Sequence, residues 1–407
     1  HLPILSGVNP DIEIKEWGGH AGVSQATTKG MQVPKFIPEI LGQHHGFSPP
    51  IAGKRPTDDI FGGEVWNQQR GLLVDELKQF LQVDWPEIGS SSRARVLAGL
   101  TSVADWIGSG RHFENPSDTW ESLITQAVDE SGFLPVQVNV GLSFEQVFGF
   151  SPRPAQVQLI ESAKAPGVYV LEAPMGLGKT EAALYVAYQM LAQGQASGIY
   201  FALPTQLTSN KIYERFNEFL SSVLADECPH RRSLLLHGKA WLLETQMGEE
   251  GQPGGAWFNQ AKRGLLAPFA VGTIDQALMA AINVKHGFVR AFGLAGKVVI
   301  LDEVHSYDAY TGTLLQGLVT LLRELHCTVI ILSATLQQAR RSELIGRAVD
   351  SFDYPLVTAV PVEGMAQELA ISRPASVNVM LRHCHDTDRA MLEALDRAST
   401  GQIGRAH

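Results

Sequence analysis

The stretch Ala173-Pro-Met-Gly-Leu-Gly-Lys-Thr180 restricts the fold of this chain more than any other. Its spacing, Ala173-x4-Gly178-Lys179-Thr180, is that of a phosphate-binding loop, with alanine where the first glycine usually stands. Such a loop needs a buried strand before it and a helix after it. Backbone N–H groups must close around the phosphates while a helix N-terminus points at them. Both neighbours are present: Gly167–Glu172 predicts a buried strand, and Thr180–Leu191 predicts a helix that stops at Gly194. Lys179 suits the β- and γ-phosphates of ATP, and the Thr180 hydroxyl suits Mg²⁺. Met175, Gly176, Leu177, Gly178 and Glu181 complete the candidate nucleotide contacts.

A second acidic motif says what the nucleotide site does. Asp302-Glu303-Val304-His305 follows the apolar run Lys297–Leu301, so both carboxylates leave a sheet at its carboxyl edge, where ligands sit in open α/β folds. Asp302 suits the Mg²⁺ and Glu303 suits the attacking water, so the pair points to nucleotide hydrolysis. Further β-rich runs occupy 168–171, 198–203, 233–236, 269–272, 298–301 and 328–332. Helical stretches separate most of them, which predicts an α/β doubly wound sheet of parallel strands.

Ahead of it, residues 1–113 read as helical, with apolar residues at three-to-four spacing over 65–83 and 93–107. Residues 114–150 read as a linker with one or two short helices. Gly248–Gly255 reads as a glycine-rich surface excursion. Beyond 336, the prolines at 355, 361 and 374 precede one strand (376–381) and one helix (388–397). A chain of 407 residues is long enough for two or more domains. Its net charge of −10 argues against indiscriminate coating of nucleic acid, although a local basic groove stays compatible with it. No apolar run reaches the ~20 residues needed to span a bilayer. The three cysteines have no metal-type spacing and fit a reducing cytoplasm.

More polar loops follow strand ends in a fixed order. Gln156 precedes the phosphate loop and suits the adenine edge. Pro204-Thr205 follows the second strand, Gly272-Thr273 the fourth and Ser333-Ala334-Thr335 the sixth. Hydroxyls and N–H groups on one sheet edge can hold a phosphodiester backbone without reading its sequence. This order resembles the first RecA-like domain of a superfamily 2 helicase. The resemblance implies that His305, with Ser333 and Thr335, links ATP hydrolysis to movement on nucleic acid. A narrower match runs from Val284-Lys-His286-Gly through Asp302-Glu-Val-His305-Ser-Tyr-Asp308-Ala-Tyr310, with Leu236-His237-Gly238 upstream. It resembles the CRISPR-associated helicase–nuclease of type I interference systems, which usually has methionine where Thr311 stands. Asp308 and Tyr310 read as packing residues behind the acidic loop.

That resemblance implies an all-helical HD-type nuclease domain in residues 1–113. Gly42-Gln-His44-His45-Gly46 and Ser102-Val-Ala-Asp105 match its later motifs, and His20 matches an intermediate one. Imidazoles with one carboxylate suit a transition metal (Mn, Ni, Co or Fe) better than Mg²⁺. As sequence neighbours, His44 and His45 are expected to point in different directions and to serve two ions of a pair. The resemblance further implies an ATP-dependent helicase or translocase on single-stranded DNA, with metal-dependent DNA cleavage and recruitment by an RNA-guided surveillance complex. Residues 151–355 would be the first motor lobe and 356–407 a connector toward a second.

Two expected pieces are missing from the sequence. No His-Asp pair precedes His20, and no second RecA-like lobe follows the connector, so the chain reads as an internal piece of a longer protein or as a truncated one. His383-Cys-His-Asp386 is metal-like in composition but reads as a solvated loop. Three other readings remain: another superfamily 2 RNA or DNA motor, an inactive ATP- or DNA-binding fragment, and a metal-dependent nucleotide phosphohydrolase.

Overall fold

The apolar runs become strands because they are buried on both faces. In the computed structural model, which describes residues 16–115, 119–236, 258, 263–282, 284–304, 309–372 and 386–399, the strands are β1 (Gly167–Glu172), β2 (Ile199–Leu203), β3 (Leu234–Leu236), β4 (Phe269–Thr273), β5 (Val298–Leu301), β6 (Thr328–Ser333), β7 (Leu356–Pro361) and β8 (Gln367–Ala370). They form one sheet in the order β3-β4-β2-β5-β6-β1-β7-β8. The first six are parallel, with registers such as Val168↔Val329 and Ala202↔Leu301. Alternate residues feed two cores. Tyr169, Leu171, Phe201, Ile300 and Ile330 lie on one side of the sheet. Val168, Val170, Tyr200, Val299 and Ile331 lie on the other. Continuous apolar runs, rather than alternating ones, are what a doubly covered parallel sheet requires.

The helices in chain order are α1 (His20–Gly30), α2 (Ile37–Gly42), α3 (Asp58–Phe61), α4 (Gly63–Leu81), α5 (Ser91–Gly108), α6 (Trp120–Glu130), α7 (Phe144–Phe148) and α8 (Pro154–Ser162). They continue with α9 (Lys179–Ala192), α10 (Gln206–Val223), α11 (Ile274–Ala281), α12 (Gly287–Leu294), α13 (Ala309–Glu324), α14 (Gln338–Ile345) and α15 (Thr387–Ser399). Helices α7 to α10 pack toward the first face of the sheet, and α11 to α14 toward the second. Local chemistry sets several starts: Ser90 caps α5 by accepting from Arg93 N at 3.2 Å, and Ser143 with Gln146 forms a capping box on α7.

Residues 356–370 differ from the connector expected for them. They form β7 and β8, which extend the sheet antiparallel beside β1. Pro355 and Pro361 bracket β7 and read as breakers in sequence. Pro361 is instead the last residue of its strand, beyond the Leu356–Ala359 stretch that pairs with β8, so its missing N–H removes no bond to that neighbour. The helix expected at 65–83 is present as α4, but its apolar stripe is exposed: Leu73 is 57% and Leu77 50% accessible. The strand expected at 376–381, Gly248–Gly255, His237, and His383–His385 lie outside the described residues, as do His305 and Asp308.

Residues 1–372 are one compact unit and 373–407 a second. Within the first, an ion-pair network fastens β8 to the sheet's functional edge. Arg341 reaches Glu172 at 2.6 Å and Glu368 at 3.0 Å, and Glu172 also accepts Leu336 N at 3.1 Å. Arg341 and Glu172 are buried. Removing one member of a buried ion pair strands the other's charge, at about 3–5 kcal/mol. Arg341→Ala is therefore expected to lose about that much in chemical denaturation. Glu172→Gln, which keeps an acceptor and adds no charge, is expected to lose less. Equal, sub-kilocalorie losses for both would refute this account of the network.

Candidate active sites

The phosphate loop joins β1 to α9, and the acidic pair leaves β5, two strands away across β6. Together they enclose a cleft of about 300 Å³ that Lys179, Thr180, Asp302 and Glu303 line. Gly176 and Gly178 have φ of +80° and +76°. A Cβ on Gly178 would lie 2.2 Å from Gln156 Nε2, so a side chain there is excluded twice over. Lys179 donates to the carbonyls of Ala173 (2.8 Å) and Pro174 (3.3 Å). Burial pushes its ammonium below the ordinary lysine value, while Glu303 and Asp302 pull it back up. Burial, and then the Glu303 carboxylate, push Asp302 up to about 6; Lys179 opposes them. Asp302 also accepts Glu303 N at 2.9 Å, in a turn where Glu303 has φ +55°. Two carboxylates and one ammonium thus share a partly desolvated cleft, a donor set fit for a triphosphate and a hard divalent ion.

The remaining sequence candidates fall into place unevenly. Gln156 is fully buried, and its amide is committed within the protein. Oε1 accepts Arg153 N at 2.8 Å, and Nε2 donates to the Gly178 carbonyl at 2.9 Å. Met175, Gly176 and Glu181 also line the cleft. Thr205 caps α10, accepting Thr208 N at 3.3 Å, and is exposed, as is Thr335. Pro204 is half-buried, while Gly272, Thr273 and Ser333 lie below the surface. Ser333 donates to the Thr335 carbonyl at 2.8 Å, and its own carbonyl accepts Ala173 N at 3.2 Å. The motif after β6 is thereby bonded directly to the phosphate loop. Arg215 of α10, which pairs with Glu181 at the cleft, has no motif in sequence to announce it.

The second site lies among the helices of the N-terminal region. His20 Nε2 is 2.9 Å from His44 Nε2 and 3.0 Å from His45 Nε2. The ligand atoms of the three lie within 4.8 Å of one another. This corrects the expectation that His44 and His45 diverge: both aim at His20. They sit in a tight turn closed by Gly46 N donating to the Gln43 carbonyl at 2.8 Å, where neighbours need not alternate as they do in a strand. His44 Nδ1–H donates to the Leu41 carbonyl at 2.6 Å, which leaves Nε2 with its lone pair facing the cluster.

Metal–imidazole bonds of ~2.1 Å at right angles would place two nitrogens ~3.0 Å apart, close to the separations here. The residues fit one imidazole-bound divalent ion. Burial, then His45 and His44, push the His20 imidazole below its ordinary value, while Asp105 raises it. The ligand atoms brought together are those of the three histidines; Asp105, the fourth ligand expected from sequence, is not among them and acts on His20 as a nearby charge. Ser102, one turn earlier on α5, donates to the His44 carbonyl at 2.8 Å. Ser102 and Asp105, three residues apart, lie on neighbouring turns of one face of α5. A larger apolar cavity, about 430 Å³ and lined by Leu100, Ile107, Trp120, Ile124 and Phe292 among others, holds no titratable side chain and so no such chemistry.

Comparison with known proteins bears on both sites. A DEAD/DEAH box helicase family model matches residues 153–343, and a model described as "Cas3, HD domain" matches residues 6–113. The CRISPR-associated endonuclease/helicase Cas3 of Thermus thermophilus is 34% identical over 97% of this chain and 48% of its own length. The crystal structure of T. fusca Cas3 with ADP superposes with a TM-score of 0.74 at 29% identity, covering 97% of this chain and 52% of that one. A chain of a structure described as a CRISPR RNA-guided surveillance complex, pre-nicking, superposes with a TM-score of 0.60 at 27% identity, over 95% of this chain and 48% of that one. The chain spans about half the length of these relatives.

Proposed function

The chain belongs to the Cas3 family of CRISPR-associated helicase–nucleases, and from that premise we propose that it supplies an ATP-driven motor lobe and a metal-dependent DNA nuclease site. The observation that carries the reading is the presence of two separate donor sets in one compact unit. One is the Lys179/Thr180/Asp302/Glu303 cleft; the other is the His20/His44/His45 cluster.

In the cleft, Lys179 neutralises the β- and γ-phosphates of ATP, and Thr180 and Asp302 hold Mg²⁺. Glu303 orients the attacking water and accepts its proton. Gln156 acts on the phosphate loop through Gly178, holding the turn that cradles the phosphates. The exposed hydroxyls of Thr205 and Thr335, with the Pro204, Gly272–Thr273 and Ser333 loops beneath them, form the single-stranded DNA edge. Because Ser333 is bonded to Ala173, movement of either loop is felt by the other. By the family resemblance His305, which lies outside the described residues, would couple hydrolysis to movement on DNA. In the helical domain, His20, His44 and His45 would hold a transition-metal ion (Mn, Ni, Co or Fe), with Asp105 as a nearby negative charge. When bound, that ion supplies a water acidified for attack on a phosphodiester. The chain's own part is to aim the imidazoles at one point, while burial and the neighbouring histidines push His20 below its ordinary value.

The partner class follows from the family and from the likeness to a chain of a surveillance complex: an RNA-guided assembly that opens target DNA for degradation. Among the described residues no helix is long and apolar enough to cross a membrane. Buried thiols at Cys228 and Cys327 suit a reducing cytoplasm.

The test is ATP hydrolysis with and without single-stranded DNA, with Lys179→Ala as the control. Turnover that rises with DNA and vanishes in the variant is the expected result. ATP binding without turnover at any DNA concentration would restrict this chain to nucleotide binding and remove hydrolysis from its role.

A further inference from the structure

The histidine cluster is gripped from two sides, and one grip belongs to the motor lobe. On the nuclease side, α5 holds the His44 carbonyl through Ser102. On the motor side, His286 N donates to the Gly46 carbonyl at 2.8 Å. Gly46 has φ +97°, and a Cβ there would lie 2.2 Å from His286 Cε1. The imidazole of His286 is thus in direct contact with the turn that carries two of the three clustered histidines. Its other side meets Trp106 edge-on at 5.7 Å, and Trp106 is the neighbour of Asp105 on α5. The Arg263 guanidinium covers Trp106 at 5.0 Å. His286 is nearly buried and stands at the start of α12, without a side-chain capping bond, and α12 packs against α5. Phe288 and Val289 of α12 share one apolar core with Ile37, Ile40, Ala98 and Val103 of the helical domain. The core of the nuclease domain is therefore partly made of motor residues.

We propose that His286 is a positioning residue for the metal cluster. Wedged between Gly46 and Trp106, it fixes where the His44–His45 turn stands relative to His20 and Asp105. The motor lobe in this way completes the geometry of the nuclease's metal site. The inference rests on the reading of those histidines as metal ligands. Groups that orient metal ligands without touching the ion typically change affinity 10- to 100-fold when removed.

The test uses the full chain, Co²⁺ as the probe and its visible absorption as the readout of coordination. His286→Asn is the informative variant, because asparagine tolerates the left-handed backbone of His286 (φ +59°) while withdrawing the ring. We expect Co²⁺ affinity to fall about tenfold or more, with an altered spectrum and unchanged nucleotide binding at the Lys179 cleft. Gly46→Ala is expected to weaken Co²⁺ by itself. In combination with His286→Asn it should cost less than the product of the two single effects, because the ring it collides with is gone. Co²⁺ affinity and spectrum unchanged in His286→Asn would overturn the proposal while leaving the metal site standing. A wild-type chain that takes up no Co²⁺ would overturn the metal reading itself and this inference with it.

Discussion

Glu303→Gln is expected to lower ATP turnover by 10²- to 10⁴-fold while leaving ATP binding intact, the range a positioned general base contributes. The affinity is expected to survive because Lys179, Thr180 and Asp302, which carry the phosphate and ion contacts, are untouched. The variant makes a second, less obvious prediction through Asp302. Burial and the Glu303 carboxylate together raise Asp302 to about 6, so acid protonates it in a range where an ordinary aspartate stays ionised. An ion-binding carboxylate must be ionised, so Mg²⁺-dependent nucleotide affinity should weaken as pH falls through about 6 in the wild type. Glutamine at 303 removes the second-largest cause of that elevation. The acid limb of binding should then move to lower pH, because Asp302 keeps its charge longer. Turnover against pH, with nucleotide affinity measured over the same range, separates the two effects. Lost affinity at neutral pH would count against the role given to Glu303, and an unmoved acid limb against the coupling of the two carboxylates.

The nucleotide cleft was legible in the sequence because its parts are short and local: a strand, a turn and a helix start, then a strand end with two carboxylates. The six parallel strands were legible for a related reason, since burial on both faces leaves uninterrupted apolar runs. The pair β7–β8 was not, because prolines at 355 and 361 look like breakers until their place in the sheet is known. Gln156 was readable as part of the nucleotide site. Its amide's commitment to Arg153 and Gly178 was not, since that depends on the phosphate loop folding back over α8. The convergence of His44 and His45 was hidden by treating neighbours as an extended pair, when the Gln43–Gly46 turn brings both to one side. Arg215 and His286 illustrate the common limit. Each acts on residues far away in the chain (Glu181 and Gly46), and local spacing holds no record of such contacts.

His44→Ala is expected to abolish metal binding and DNA cleavage together while ATP binding persists. His44 is constrained before any ion arrives. Its Nδ1–H is held by the Leu41 carbonyl, its own carbonyl accepts from Ser102, and its ring is nearly buried. An imidazole fixed in the correct tautomer and direction gives up little entropy on binding, so its loss should exceed the ~10- to 100-fold typical of a supporting partner. The convergence of all three Nε2 atoms also predicts stoichiometry. One ion per chain should bind tightly at this cluster, and His20→Ala, His44→Ala and His45→Ala should all weaken that same ion. Metal uptake should tolerate acid better than free imidazole does, because burial and its histidine neighbours hold His20 below its ordinary value. Isothermal titration with Mn²⁺ and Co²⁺ from pH 5.5 to about 7.5 measures affinity, stoichiometry and proton release in one experiment. Two equal ions, each lost with a different histidine, would restore the divergent arrangement expected from sequence. Undiminished affinity in His44→Ala would remove the cluster from the nuclease altogether.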